Sequence, residues 1–432
     1  MSSTNKQDEE PFYALMIGAG FAMFGSPEGP WNIARRLHAR VGSRLSVQAV
    51  IEVDPPRAEA ALKIKLASPA EKAAYEGTVI LPTIEAFAER VKSGQSKEPK
   101  AVFVATPPLY RGGTSSGRDL EVKLHKHFPN AGIFVEKPIA TGVPWEESVA
   151  QAQEVGKLMK QHNGVVSVGY VLRYLDAVKQ MKKIIEDNNL TVMATVARYV
   201  VAYELAIKSD WWNKSIIQGP IVEQATHICD LSRYFGGEID IDTLTAHAVE
   251  AHEKPGELSK KNFDESVIPD DQRIPRATIA SWKYENGAVG TMLHAIALHG
   301  VDYSIELQVF ADGYQLILSD PYGIPALHVR RPGSDKSEII PTPGDDPYQT
   351  EMDHFIDTVS SYFPANPIRL IVLESLKVSI CVLRLMKQIE SGPNPVILST
   401  YEDAARTYEM TWQIRTRSEE VTRKKLERQG KA

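Results

Sequence analysis

Ile133-Phe134-Val135-Glu136-Lys137-Pro138 sets three apolar residues ahead of a carboxylate, an amine and a proline. The apolar run reads as a short buried strand, and the charged pair falls where that strand ends. A lysine at the mouth of a sheet, beside a carboxylate and ahead of a rigid turn, suits the holding of a hydroxyl or carbonyl group. A solvated Glu-Lys pair at a strand end is the plainer reading. What separates the two is whether other strand ends carry matching chemistry.

Toward the N-terminus, Phe12 to Ile17 is an apolar run that stops at Gly18-Ala19-Gly20. A strand running into Gly-x-Gly opens a dinucleotide-binding domain, because glycines let the backbone turn tightly beside a pyrophosphate. The third glycine of the usual spacing would stand at position 23, which is Met23, and Phe24 to Pro30 lengthen the loop. A helix is expected to open at Trp31, with Pro30 in its first turn and Trp31, Ala34, Leu37 and Val41 on one face. Leu45 to Ile51 reads as a second strand ending at Glu52. An acid there can accept from ribose hydroxyls and repels a 2′-phosphate. Asp54, ahead of two prolines, is read as the cap of the next helix.

Strand and helix keep alternating: a strand at Thr78 to Leu81, a helix at Ile84 to Val91, a strand at Ala101 to Ala105. That last strand ends in Thr106-Pro107-Pro108, and a Gly/Ser-rich loop and a helix at Leu120 to Phe128 lead to the opening stretch. Alternation of this kind builds a parallel sheet with ligands at the carboxyl ends of its strands. Gly18, Glu52, Thr106 and Lys137 all fall at such ends, which favours the functional reading of Lys137.

The bulk numbers exclude several classes. At 432 residues two domains are expected, and 43% hydrophobic with 24% charged residues is the make-up of a globular protein. A net charge of -6 and no basic stripe argue against a nucleic-acid partner. The two cysteines, Cys229 and Cys381, lie in apolar helical patterns, against a disulfide framework or a metal site and for a reducing compartment. Residues 1–10 are polar and read as disordered without a secretory leader. No apolar run has the length of a membrane span, so a cytoplasmic setting is expected.

Beyond residue 170 the chain becomes strand-rich. Runs at Thr191 to Val201, Thr243 to Val249, Arg276 to Tyr284, Ala288 to Leu298, Tyr303 to Ala311 and Tyr314 to Leu318 alternate, with Glu285-Asn286-Gly287 and Asp312-Gly313 as hairpin turns. Glu253 to Arg273 is charged and aperiodic, a surface excursion. Three helices are expected near Tyr348 to Tyr362, Arg369 to Ile389 and Tyr401 to Arg417, followed by a basic, frayed tail. Ser209 to Lys214 contains Trp211 and Trp212, which either stack on a sugar or form a lid. In Ile221 to Leu231, Glu223 and His227 are four apart. On one helix they would face the same way, and a carboxylate-oriented imidazole is a general acid/base arrangement. Asp230 and Arg233 read as a structural ion pair.

Gly-x-Gly after the first strand, an acid after the second, Ala105-Thr106-Pro107-Pro108 and Glu136-Lys137-Pro138 together resemble the glucose-fructose oxidoreductase / inositol dehydrogenase / MocA family. The resemblance implies NAD(P)-dependent oxidoreductase activity on sugars, polyols or related metabolites. It implies a Rossmann domain followed by an α+β domain with a large, mostly antiparallel open sheet that commonly pairs subunits. The domains would then be residues 11–170 and 171–420, between a disordered 1–10 and a basic 421–432. Catalysis would fall on Lys137 and His227, with Glu223 standing where the family usually has Asp. A cis bond before Pro138 would aim the lysine. Gly18, Gly20, Phe21, Glu52, Thr106, Pro107 and Glu136 would hold NAD or NADP, with Glu52 favouring NAD against Arg35, Arg36 and Arg57 nearby. Tyr170, Arg173, Trp211 and Trp212 would contact substrate. The alternative is a catalytically silent regulatory relative that binds a dinucleotide or sugar, a reading that the altered glycine loop favours.

Overall fold

The computed structural model describes residues 10–26, 29–206, 209–301, 303–362, 397–428 and 430. The expected helix at Arg369 to Ile389, Cys381 and nearly all of the expected disordered start lie outside them. The chain forms two compact units. The described residues of the first lie within Met1–Glu136, Val155–Gly169 and Tyr348–Tyr401; those of the second within Lys137–Glu154, Tyr170–Pro347 and Glu402–Ala432.

The first unit is a six-stranded sheet of β1 (Phe12–Ile17), β2 (Leu45–Ile51), β3 (Val79–Leu81), β4 (Ala101–Val104), β5 (Gly132–Val135) and β6 (Val166–Val168). Every pairing is parallel and the order is β3-β2-β1-β4-β5-β6. This is the doubly wound order, in which β1 and β4 flank the switch point where ligands bind. β1, β4 and β5 are almost continuously apolar and buried, as strands covered on both faces must be. Helix α1 (Phe21–Phe24) is a single turn; α2 (Ile33–Val41) starts two residues later than expected, capped by Asn32 Oδ1 accepting from the Arg35 amide at 2.9 Å. The next helices are α3 (Pro55–Ala67), α4 (Lys72–Tyr75), α5 (Ile84–Lys92) and α6 (Leu120–His127); of α7 (Trp145–Lys160), only the part from Val155 on belongs to this unit. Pro347–Tyr362 returns late in the chain to pack Phe355 against Phe103 and Phe134, ring centres 5.7 and 5.6 Å apart.

The second unit holds α8 (Asp176–Asp187) and an eight-stranded sheet: β7 (Val192–Ala202), β8 (Ile239–Val249), β9 (Ala277–Tyr284), β10 (Val289–Leu298), β11 (Ser304–Ala311), β12 (Tyr314–Ser319), β13 (Ala326–Arg330) and β14 (Ser337–Pro341). Its order is β14-β13-β12-β11-β7-β10-β9-β8. All pairings are antiparallel except β7 with β10. The alternation of Thr195, Ala197, Tyr199 and Val201 inward with Val196 and Arg198 outward leaves one face open. The hairpins at Gly287 and Gly313 are as read; β13 and β14, five residues each, were not expected.

One expectation is corrected here. The C-terminal helix runs through Tyr401–Arg428, so the basic tail is ordered helix, braced by Glu420–Lys424 and Arg423–Glu427 pairs one turn apart and by Lys425 on Glu253. The stretch 253–273 lies largely at the surface, as read, and is anchored by buried Glu265, which takes two hydrogen bonds from Arg276 Nη2, at 2.7 and 2.5 Å. Among the described residues no helix is long and apolar enough to cross a membrane.

Candidate functional site

At the carboxyl end of β1 the chain turns through Gly18 at φ +91°. A Cβ there would stand 2.9 Å from the Thr106 amide nitrogen and 3.0 Å from the Ala105 carbonyl, so only glycine lets the ends of β1 and β4 meet. Around Gly20 a Cβ would meet nothing within 4 Å. Glu52 Oε2 accepts from the Ala19 amide at 2.8 Å, and Oε1 from the Asp54 amide at 3.0 Å. The carboxylate thus ties the glycine turn to the end of β2, with a second lone pair on each oxygen still able to accept. Thr106 Oγ1 is buried with no hydrogen-bond partner among the described residues. Phe21, Val53, Pro107, Leu109 and Tyr110 are exposed around these strand ends. Close backbone, an unpartnered hydroxyl, a carboxylate and bare apolar side chains fit a dinucleotide.

The loop after β4 is held from beneath. Buried Arg111 donates through Nε to the Thr106 carbonyl at 3.0 Å, and fully buried Glu121 accepts from the Gly112 amide at 2.9 Å and Tyr401 Oη at 3.1 Å. Burial pushes the Glu121 carboxyl up, against the opposing charge of Arg111. Met23, where a third glycine would stand, is fully buried in the core beside Ala19 and Ala34. Asp54 occupies the cap position of α3 without a capping bond; its carboxylate instead lies 3.6 Å from Arg57.

In the second unit, Lys137 follows a strand end and precedes a cis Lys137–Pro138 peptide. Its Nζ donates to the Glu223 carbonyl at 3.1 Å and lies 3.5 Å from Glu223 Oε1. His227 is buried, its Nδ1 without a partner among the described residues. Burial first, and the Lys137 charge second, hold its pKa well below 6.5, so the imidazole is neutral at pH 7. Tyr170 and Tyr322 stand edge-on to its ring, with centres 6.1 and 6.0 Å away.

The geometry corrects the expectation that Glu223 orients His227 on one helix. The helix is broken between them: α10 (Gly219–Glu223) ends and α11 (Thr226–Gly236) begins after Ala225. The Pro220 carbonyl takes both the Gln224 and the Ala225 amides at 2.9 Å, a widened turn that re-aims the following residues. Glu223 therefore serves Lys137. Gln224 turns to the buried His294, 2.9 Å from its Nε2.

Three of the expected substrate contacts are engaged within the fold. Arg173 is 4% exposed and fully committed: Nε and Nη2 donate to Asp230 at 2.7 and 2.6 Å, and Nη2 lies 2.6 Å from Asp403. Asp230 thus belongs with Arg173, whereas Arg233 pairs with Glu238 and Asp403 at 2.8 and 2.9 Å. Tyr170 is buried, with its hydroxyl 2.8 Å from Thr226 Oγ1. Trp212 lies in the core and donates to the Ala206 carbonyl at 2.9 Å; only Trp211 keeps part of its ring open. Tyr322 was not foreseen. It sits on the turn Asp320-Pro321-Tyr322-Gly323, whose only signal in the sequence is a Pro-x-Gly spacing.

The sequence profile of the oxidoreductase family with an NAD-binding Rossmann fold, GFO_IDH_MocA, matches residues 12–170, and an oxidoreductase C-terminal domain profile matches residues 173–314. The uncharacterized protein C12C2.04 of Schizosaccharomyces pombe is 39% identical over 409 residues, covering 95% of this chain and 97% of that one. The chain belongs to the Gfo/Idh/MocA oxidoreductase family. Two solved structures share the fold of this Gfo/Idh/MocA protein. A levoglucosan dehydrogenase in complex with NADH and levoglucosan aligns with a TM-score of 0.61 at 15% identity, over 95% of this chain and 98% of that one. UDP-N-acetylglucosamine 3-dehydrogenase from Acidithiobacillus ferrooxidans aligns at 0.59 and 14%, over 94% and 97%. An oxidoreductase with a seat for a nicotinamide cofactor follows from the family and the Rossmann sheet.

Proposed function

We propose that this chain is an NAD-linked dehydrogenase or reductase acting on a carbinol or carbonyl carbon of a sugar, polyol or related small metabolite. The observation that carries the reading is Lys137 held by Glu223 near a buried, neutral His227 in the same unit. A nicotinamide ring, when bound, exchanges hydride with the substrate carbon. Lys137 Nζ exchanges the Glu223 carboxylate for the substrate oxygen and hydrogen-bonds it. His227, neutral and with Nδ1 unpartnered among the described residues, takes the hydroxyl proton in oxidation and returns it in reduction. Tyr322 and Trp211 offer ring faces to the substrate, in keeping with the levoglucosan bound in one structural neighbour. Gly18, Gly20, Phe21, Glu52, Thr106, Pro107 and Glu136 hold the cofactor. Glu52 repels a 2′-phosphate, and Arg57 is already matched by Asp54, so NAD is favoured.

Self-association through the open face of the second sheet, where Val196 and Ile279 are exposed, and a cytoplasmic setting complete the proposal. The experiment is nicotinamide absorbance with NAD(H) or NADP(H) against a panel of polyols and aldoses, for the wild type and Lys137→Ala. Turnover that drops by about 10²-fold or more in the variant supports the reading. Cofactor binding with no turnover on any substrate would leave the regulatory alternative, which the non-standard glycine loop favours.

A further inference from the structure

The turn that launches α10 is strained and clamped from a distance. Gln218 caps both the end of α9 (Lys214–Ile217) and the start of α10, at φ +64° and ψ +18°. A non-glycine residue in this left-handed region is strained, because its Cβ crowds the following carbonyl oxygen. Gln218 is also almost fully buried, and Gly219 after it has φ +79°. Something must hold this hinge. Arg415, on the C-terminal helix, donates from Nη1 to the Gln218 carbonyl at 2.7 Å and to its side-chain Oε1 at 3.0 Å. Arg415 is itself fixed by Glu419, 3.1 Å from its Nε, and by the Trp412 ring, 4.8 Å from its guanidinium carbon. Glu419 in turn takes Lys214 Nζ at 3.2 Å, closing a loop back onto α9.

Helix α10 is five residues long, so an error in its entry angle reaches its last residue undiluted. That residue is Glu223, whose carbonyl and carboxylate seat Lys137. We propose that Arg415 is a positioning residue: by holding the Gln218 hinge it fixes α10, and through Glu223 it keeps the Lys137 ammonium in place. The proposal rests on the catalytic reading of Lys137 for its consequence, while its geometry can be tested without any substrate.

The test is competitive trace labelling of the intact protein with acetic anhydride, read lysine by lysine by mass spectrometry. Lys182, whose ammonium is held by the Tyr234 carbonyl in the same unit, is the internal control. In Arg415→Ala, Lys137 labelling is expected to rise about fivefold, as loss of one net hydrogen bond predicts, with Lys182 unchanged. Arg415→Lys, which keeps one donor for the Gln218 carbonyl, is expected to fall between. It decides the matter if the alanine variant does not fold. Unchanged Lys137 labelling, or a parallel rise of Lys182, overturns the proposal. Where a substrate is in hand, Arg415→Ala is expected to lower kcat with little change in NAD(H) affinity. If Lys137→Ala retains full turnover, the catalytic reading fails while the labelling result still judges the clamp.

Discussion

Glu52 accepts from two backbone amides at once, so replacing it alters the glycine turn as well as any ribose contact. Glu52→Ala is expected to weaken NAD(H) binding about tenfold or more, each decade being about 1.4 kcal/mol, and to weaken NADP(H) binding less. Titration calorimetry with both cofactors measures this; equal losses would show that the turn, and not charge, governs the effect. His227 supplies a pH test. Its folded pKa lies well below 6.5, so its base form persists on acidification past that point. The oxidation rate, as kcat/KM, is expected to stay level from pH 8 down through 6.5 on account of this group and to fall only in more acidic buffer. His227→Ala is expected to lower it by about 10²–10⁴-fold.

Among elements, the guanidinium of Arg173 joins the 3₁₀ turn Val171–Tyr174 to α11 and the C-terminal helix through Asp230 and Asp403. Arg173→Met strands a buried carboxylate and is expected to destabilise the fold by about 3–5 kcal/mol, read by urea unfolding. Pairing it with Asp230→Leu is expected to recover much of that loss. This element also shows where reading the sequence stops. The parallel sheet was legible because β1, β4 and β5 are apolar throughout and each ends on a residue with a chemical reason to be there. The antiparallel strands were legible from alternation and two glycine turns. Which charged residue faces a partner was not, because Arg173 has the same spacing whether it meets a ligand or Asp230. The break after Glu223 was equally silent, since i, i+4 spacing presumes an unbroken helix. The widened turn carries Gln224 to His294, seventy residues away.

On the scale of the whole molecule, buried His294 couples folding to pH. Burial pushes its pKa down to about 3, against 6.5 in the unfolded chain. Between those values the unfolded state takes up a proton that the folded state refuses. This contribution to stability is therefore complete above 6.5 and is lost as the pH falls, by about 2 kcal/mol at pH 5. Urea midpoints at pH 7.5 and pH 5 check this, and His294→Gln is expected to flatten the difference.

The late return of Pro347–Tyr362 to the first unit bears on how the chain is made. Phe355 covers Phe103 and Phe134, yet it leaves the ribosome more than two hundred residues after β5. At about 5–20 residues per second, the nascent sheet waits roughly ten to forty seconds with that apolar face bare. Chaperone occupancy is expected to peak in this window and to end once residue 362 has emerged. A fragment stopped at residue 170 never receives its cover, so it is expected to accumulate as inclusion bodies while the full chain stays dispersed.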